Sequence, residues 1–556
     1  MIRRRLAEPE TARDLLCLLA GAALLFLPQL GARDLWNPNE PLYGRAVVEM
    51  SRSGDWAVPT VNGQVFDEKP ILYFWLALLA SRALGAVDEL SLRLPSAFAG
   101  LVGVAWVYLL VRAYSGRLRG VVAAFLFATT EIVFWSARAV QMDLLLAVCT
   151  LGAVLAATRV IDHGAPARRG FALAGLAAGL GVLAKGPLGL ICPALALAAY
   201  AAMRAAPLRR GLGEAPGARA APPVRSGLRS ALCGAGSLLA VAAPWFAWLA
   251  LRGEWGFLKE MLLRQNFVRF VDAWDHARPF WYYLLHLWID MAPWALLLPF
   301  AVALPQRNAG ERRLDRLAWG WLGSTVLFFS LSASKRSPYL LPAVPAMAIL
   351  AAAPVERFIL GTLDRGRQRW LRGLVGAAGA AMAAGGLILA CRGVEEYPAL
   401  VTPGRAVATL LVGAGLVVLA ASTALGRRRP LAAPAAFAAA VVALYLLAAN
   451  WVLPAVDAYK SARPFCEKLA ALVPRETPLR SYRPWKWRAS YAYYADRTIE
   501  TIDSPGELER FWNDAGQVFL LVERDRLDEV RETLGDPRPR LAQPIGGNAV
   551  YLFTNR

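Results

Sequence analysis

The densest collection of groups able to do chemistry lies between residues 36 and 70. It reads Trp36-Asn37-Pro38-Asn39-Glu40-Pro41-Leu42-Tyr43, then Ser53-Gly54-Asp55-Trp56-Ala57-Val58-Pro59, then Phe66-Asp67-Glu68-Lys69-Pro70. Two carboxylates, Glu40 and Glu68, and the ammonium of Lys69 thus stand just before 71–84, a short apolar stretch rich in aromatics (Tyr73, Phe74, Trp75). A set of this kind beside an interfacial helix could meet a lipid headgroup at the membrane surface. Composition alone equally admits a solvated loop held by aromatic anchors.

Further along, Gln141-Met142-Asp143-Leu144 places a carboxylate at the start of an apolar block, with Arg138 the nearest cation in sequence. An acid at membrane depth is a functional candidate by default. It is also what a helix start favours, because free N–H groups and the helix dipole stabilise it there; one residue can do both. Lys185-Gly186-Pro187 sits in the hairpin between two apolar blocks, where an ammonium suits a phosphate or simply snorkels. Arg269 belongs to a second charged loop with Arg264, Asp272, Asp275, His276 and Arg278, followed by the belt Phe280-Trp281-Tyr282-Tyr283. Ser334-Lys335-Arg336-Ser337-Pro338-Tyr339 is one more turn with two cations. Cations of this kind hold phosphates and neutralise a phosphate leaving group; carboxylates bind sugar hydroxyls or act as bases. From the residues alone, the reading ends at a lipid-phosphate site.

The elements that must position these groups are membrane helices. Of the 556 residues, 57% are hydrophobic and 18% charged, with a mean hydropathy of +0.40. The apolar residues come in unbroken blocks such as 15–30, 121–135 and 144–157, the kind of run that crosses a bilayer core. Reading 71–84 as interfacial predicts 13 spans: 15–32, 93–111, 120–136, 143–158, 171–185, 188–203, 230–251, 284–304, 317–332, 339–353, 373–391, 405–425 and 431–452. With the N-terminus inside, the inside segments 1–14, 112–119, 159–170, 204–229, 305–316, 354–372 and 426–430 hold 28 Lys and Arg. The outside connections, with 33–92 and 252–283 the largest, carry fewer over a greater length, as the positive-inside rule requires. Counting 71–84 as a span would invert everything after it and put the Arg-rich 204–229 outside. The formal charge of +20 is therefore topological, and nucleic-acid binding is excluded for want of a basic groove interleaved with aromatics.

Met1-Ile2-Arg3-Arg4-Arg5 followed by 15–30 reads as an uncleaved first span rather than a removed leader. From about 453 the chain turns polar, with strands expected at 517–522 and 549–553. The organisation expected is a transmembrane domain over 1–452 and a small external α/β domain over 453–556. The six cysteines show no framework spacing, and the three histidines, His163, His276 and His286, are far apart. No metal site or cofactor is supported.

These segments, in this order, resemble the GT-C membrane glycosyltransferases of the aminoarabinose transferase and protein O-mannosyltransferase superfamily, most closely the lipid A aminoarabinose type. Leu35-Trp36-Asn37-Pro38-Asn39-Glu40 is similar to that family's tryptophan-proline-Asp-Glu motif. Ser53-Gly54-Asp55-Trp56, Glu68-Lys69-Pro70, the glycine-rich 181–186, and Arg269-Phe270 with Pro279-Phe280-Trp281-Tyr282-Tyr283 follow in register, and Asp143 falls at the family's second external Asp. The resemblance implies a mainly α polytopic GT-C fold that transfers a sugar, with inversion, from a polyprenyl (undecaprenyl) phosphate. The implied acceptor is lipid A phosphate or another envelope glycolipid, at the periplasmic face of a bacterial inner membrane. It implies a catalytic centre at Glu40, Asp143 and Asn39. Donor-phosphate contacts fall to Lys69, Lys185, Arg269 and Lys335, and substrate lining to Tyr43, Glu68 and Tyr339. The sequence departs from the family at Asn39 (an Asp there), Leu42 (an Arg), Arg45 (a Glu) and Asn266, where a histidine can precede the Arg-Phe pair. Asn39 cannot act as a base. A phosphate acceptor needs little base catalysis; a hydroxyl acceptor, as in protein O-glycosylation, needs Glu40 or Asp143. A transporter or flippase would instead place its charges at mid-span.

Overall fold

The computed structural model describes residues 9–205, 224–272, 274–302, 304–394, 396–423, 431–484, 488–514 and 516–556. Arg3, Arg4 and Arg5, most of the expected inside loop 204–229, and 427–429 lie outside the described residues. Among those described, nine helices are long and apolar enough to cross a bilayer, from Glu89–Ser115 to Ala432–Lys460. Two bent pairs bring the number to 11 if each counts as one span. The chain is a multi-pass membrane protein.

Among the described residues the expected 13 spans are not confirmed, for local reasons. Pro9–Phe26 opens with Glu10, Arg13 and Asp14, and Ala309–Leu331 carries Glu311 to Arg316 in its first turns, so their apolar runs are shortened. Arg117–Ala128 and Glu131–Ala137 meet at 64°. At that break the hydroxyls of Thr129 and Thr130 donate to the carbonyls of Phe125 and Leu126, both at 2.7 Å, which competes with the helix ladder. Tyr282–Asp290 and Trp294–Val302 meet at 104° across Pro293, which has no N–H to continue the first helix. The stretch read as interfacial forms Leu72–Leu84, 13 residues. At a rise of about 1.5 Å per residue it is roughly 20 Å long, short of a hydrocarbon core of about 30 Å.

Small residues let the spans approach closely. Arg365–Arg392 packs along Pro398–Ser422, where a Cβ at Gly415 would come within 2.5 Å of the Gly379 carbonyl oxygen. Ala167–Lys185 and Leu188–Ala205 close on each other in the same way: a Cβ at Gly189 would lie 2.0 Å from the Gly181 carbonyl carbon. That approach fixes the hairpin bearing Lys185.

After the last helix the chain builds a five-stranded sheet from β3 (Leu479–Tyr482), β4 (Glu500–Ile502), β5 (Phe519–Glu523), β6 (Leu541–Ile545) and β7 (Asn548–Thr554); an earlier hairpin pairs β1 (Thr60–Val61) with β2 (Gln64–Val65). The spatial order is β4-β3-β5-β7-β6, parallel on the β4/β3/β5 side and antiparallel on the other. The two strands legible in the sequence, at 517–522 and 549–553, are β5 and β7, which pair directly. Every residue of β5 is buried.

This sheet domain is tied to the first charged loop. Asn62 and Ile499 exchange two hydrogen bonds, at 2.6 and 2.8 Å. Arg45 donates to the Ala492 carbonyl at 3.0 Å, the Leu35 amide to the Tyr494 hydroxyl at 2.6 Å, and Asn37 to Ser490 at 2.8 Å. Arg463 pairs with both Asp34, at 2.7 Å, and Glu89. The 33–70 segment is thus held between the membrane helices and the sheet.

Candidate functional site

Glu68 and Lys69 are presented by a short, well-braced turn. Glu49, on the helix Asn39–Ser53, accepts hydrogen bonds from the Thr60 hydroxyl at 2.8 Å and the amides of Asn62 and Gly63 at 2.6 and 3.1 Å, fixing the β1–β2 hairpin. Beneath the turn, Phe66 packs against Tyr43 and Phe74 with ring centroids 6.2 Å apart in each case. The Lys69 ammonium donates to the Glu68 carbonyl at 3.2 Å and lies 3.7 Å from its carboxylate. Burial, with Arg269 and Arg336 nearby, pulls Lys69 below the ordinary lysine range, against the opposing pull of Glu68.

Lys185 ends the helix Ala167–Lys185 and is followed by Gly186 at φ +63°, a positive-φ conformation that suits glycine. Its ammonium pairs with Asp143 and lies 4.8 Å from the centroid of the Tyr339 ring. Asp143 stands in the first turn of Met142–His163, whose N-cap residue is Gln141; its carboxylate is given to Lys185 rather than to capping.

The third cation comes from the second loop. After Trp255–Lys259 the chain widens into a π-helix over Glu260–Val268, a distortion common at functional sites. Arg269 follows it, its Nη2 donating to both carboxylate oxygens of Asp275 at 2.7 and 2.8 Å and its Nε reaching the Ser334 hydroxyl at 3.4 Å. The turn carrying Ser334 is pinned to the same loop by Ala333 N–H to Phe270 O, 2.8 Å, and Lys335 N–H to His276 O, 3.0 Å.

These three elements enclose one cavity of about 290 Å³. Glu68, Lys69, Lys185, Arg269, Ser334 and Tyr339 line its polar side, with Gln265 and Asn266 on the π-helix; Leu188, Ile191, Phe267, Phe328 and Phe329 make its apolar side. Lys69, Arg269 and Arg336 all lie within electrostatic range of Lys185. Glu68, Asp143 and Asp275 each balance one of the lining cations, and Arg336, with no carboxylate partner among the described residues, leaves the group net positive, which favours an anion. An adjoining apolar wall suits a lipid chain attached to it.

The cavity gathers Glu68 and Lys69, Lys185, Arg269 and Tyr339 from four distant points of the sequence. Other expected site residues lie elsewhere. Glu40, expected in a catalytic centre, does not line the cavity. It is the hub of a buried network, accepting from Arg93 at 2.9 and 3.1 Å, from the amides of Trp36 and Val140 at 3.0 Å each, and pairing with Arg33 at 2.9 Å. Burial works to raise its carboxyl, and the charges of Arg33 and Arg93 outweigh it, holding Glu40 down to about 2. A carboxylate so saturated is a poor base. Asn39 is half-buried in the first turn of its helix and does not line the cavity. Lys335 turns away from it: its ammonium caps the Ser332 carbonyl and that of Arg278, at 3.0 Å, because the end of Ala309–Leu331 leaves carbonyls in need of donors. Tyr43 stands behind the lining, buried among aromatics. Asp143 reaches the cavity only through Lys185.

Arg33 and Arg93 were not singled out in the sequence, since nothing there shows that residues 60 apart share a carboxylate. Gln265 and Ser334 were missed as lining residues; both lie in segments flagged for their charges alone. Among the described residues, no group of three His, Cys, Asp or Glu side chains converges to hold a metal ion.

Residues 68–213 match the family described as dolichyl-phosphate-mannose-protein mannosyltransferase. Over 361 residues the chain is 30% identical to an undecaprenyl phosphate-alpha-4-amino-4-deoxy-L-arabinose arabinosyl transferase 1 of Pseudomonas fluorescens (strain Pf0-1), covering 64% of this chain and 59% of that one. Over 405 residues it is 29% identical to the corresponding transferase of Enterobacter sp. (strain 638), covering 70% and 67%. The matched stretch thus spans less than two thirds of the first relative. The crystal structure of ArnT from Cupriavidus metallidurans bound to undecaprenyl phosphate superposes with a TM-score of 0.77 over 97% of this chain and 98% of that one, at 20% identity. The same protein in the apo state gives 0.76. The chain thus shares its fold with ArnT over nearly its whole length and is similar in sequence to these arabinosyl transferases over about two thirds of it.

Proposed function

We propose that the chain is an inverting glycosyltransferase that takes a sugar from polyprenyl phosphate, undecaprenyl phosphate in bacteria, and passes it to an envelope acceptor. The observation that carries this reading is the single cavity where Lys69, Lys185 and Arg269 face an apolar wall, within a fold shared with a transferase crystallised with undecaprenyl phosphate. The acceptor oxygen attacks the sugar's anomeric carbon from the face opposite the phosphate, and the bond from that carbon to the phosphate oxygen breaks. The donor is a phosphodiester with one negative charge, and polyprenyl phosphate leaves with one more. Preorganised cations stabilise charge that develops in the transition state, and Lys69, Arg269 and Lys185 are placed to do so. Glu68 is exposed enough beside Lys69 to accept from sugar hydroxyls.

The acceptor proposed is a lipid A phosphate or a related glycolipid. A phosphate is already anionic at neutral pH and needs no strong base, which fits a site where Glu40 is locked in ion pairs and Asn39 cannot ionise. The chain is assigned to the bacterial inner membrane with its N-terminus inside and the sheet domain in the periplasm, on the strength of the arginine bias. A second reading, a protein hydroxyl acceptor, is favoured by the family match over 68–213; there Asp143, freed from Lys185, would take the proton. Mass analysis of lipid A, other envelope glycans and secreted proteins from a deletion strain separates the two. Loss of a sugar from lipid A, restored by the wild-type gene and not by Lys69→Ala, supports the first. Unchanged envelope and protein glycans would overturn both.

A further inference from the structure

At the opposite end of the spans from the charged cavity, the helix Arg365–Arg392 begins with four arginines, Arg365, Arg367, Arg369 and Arg372. Arg367 pairs with Asp364 at 2.7 Å. Arg365 and Arg369 are exposed, one turn apart on the same face, and carry no ion pair among the described residues. Beside them Trp370 is 75% exposed, an amphipathic ring of the kind that sits at headgroup level.

Directly below, a groove of about 750 Å³ runs down this helix. Arg369 and Trp370 form its mouth, Gly373 and Ala377 its floor, and Phe300 of the neighbouring helix its far wall. The space over Gly373 is open, since a Cβ there would meet nothing within 4 Å. Leu374 divides this groove from a second cavity of about 420 Å³ whose lining, including Phe125, Trp294, Phe358 and Phe437, is almost wholly apolar. Unpaired cations above, an interfacial indole beside them, and two apolar spaces below match one chemistry: a phosphate headgroup carrying acyl chains. The positive-inside bias explains why arginines lie at this end. It does not explain why Arg369, unpaired, lines the mouth of a groove with a second unpaired arginine, Arg365, one turn above it.

We propose that Arg365, Arg369 and Trp370 form a binding site for an anionic membrane phospholipid, with one acyl chain along Gly373 and Ala377. This site is separate from the donor cavity and does not depend on the transferase reading. A cation near an anionic lipid surface contributes about 1 kcal/mol, so removing two weakens binding roughly 30-fold.

The test uses the full chain, purified and placed in nanodiscs of phosphatidylcholine alone or with phosphatidylglycerol. Retained lipid is counted by native mass spectrometry and unfolding is followed by heat. The wild type should retain phosphatidylglycerol selectively and unfold at a higher temperature in its presence. The variant R365Q/R369Q should lose both effects, and Gly373→Leu, which fills the groove without changing charge, should lose them too. R168Q/R169Q, which removes two exposed arginines from the same end, should behave as the wild type. Equal retention of phosphatidylcholine would overturn the proposal. So would unaltered binding in R365Q/R369Q or in Gly373→Leu, or a loss as large in R168Q/R169Q. Inorganic phosphate raising the unfolding temperature as much as the lipid would mark a site for free anions and overturn it as well.

Discussion

Replacing Glu40 by glutamine distinguishes a structural carboxylate from a reacting one. Its two oxygens meet Arg33, Arg93 and the amides of Trp36 and Val140, all within 3.1 Å, and both arginines are buried. Glutamine keeps the shape and leaves two buried guanidinium groups without an anion. Removing one partner of a buried pair costs about 3–5 kcal/mol. Lowering a carboxyl from 4.5 to about 2 corresponds to roughly 3 kcal/mol, in the same range. The folded-state value lies below the ordinary one. This stability is therefore fully present above about pH 4.5 and is lost as pH falls toward about 2. Thermal unfolding of Glu40→Gln in detergent should occur at a clearly lower temperature than the wild type at pH 7, and the gap should shrink as pH falls below 4. Donor affinity, measured on the fraction still folded, should be nearly intact. A variant that unfolds at the wild-type temperature yet has lost turnover would refute this reasoning and return Glu40 to the reacting centre.

Asp143→Asn should lower turnover by at least tenfold without weakening donor binding, because it releases the Lys185 ammonium rather than removing it; steady-state kinetics beside a binding titration checks this. Gly186→Ala forces a side chain into a positive-φ conformation that favours glycine, a strain of about 1–3 kcal/mol, and should lower the unfolding temperature while also weakening donor binding through Lys185. Lys69 is held below the ordinary lysine range, so its charge is present at low pH and lost as pH rises through that lowered value. Donor affinity should fall as pH rises through that lowered value for the wild type and stay flat for Lys69→Met. Asn62→Ala breaks both bonds to Ile499, about 1–3 kcal/mol, and should speed proteolytic release of the sheet domain.

Much of the fold was legible because its signals are local. Apolar runs mark most spans, short apolar runs in a polar tail mark β5 and β7, and the arginine bias separates an interfacial helix from a crossing one. The span count was less legible, since Thr129, Thr130 and Pro293 break helices whose hydropathy reads as continuous. Within the site, Lys69, Lys185 and Arg269 announced themselves as cations in loops beside apolar blocks. Glu40 did so equally, and differs only in what it meets. Arg93 looks like an ordinary arginine near a helix start until tertiary packing brings it to Glu40. Lys335 reads like Lys185 in sequence, yet one ammonium enters the cavity and the other caps a helix end. Side-chain partners at long range decide such cases, and spacing does not encode them.

The most direct test of the proposed donor site is a binding titration of the purified full chain with undecaprenyl phosphate, wild type against Lys69→Ala. A charge-assisted hydrogen bond to phosphate contributes about 1.5–3 kcal/mol, so the variant should bind roughly 10- to 150-fold more weakly, with its unfolding temperature unchanged. Equal affinity in the two proteins, or no measurable binding in the wild type, would contradict the assignment of this cavity.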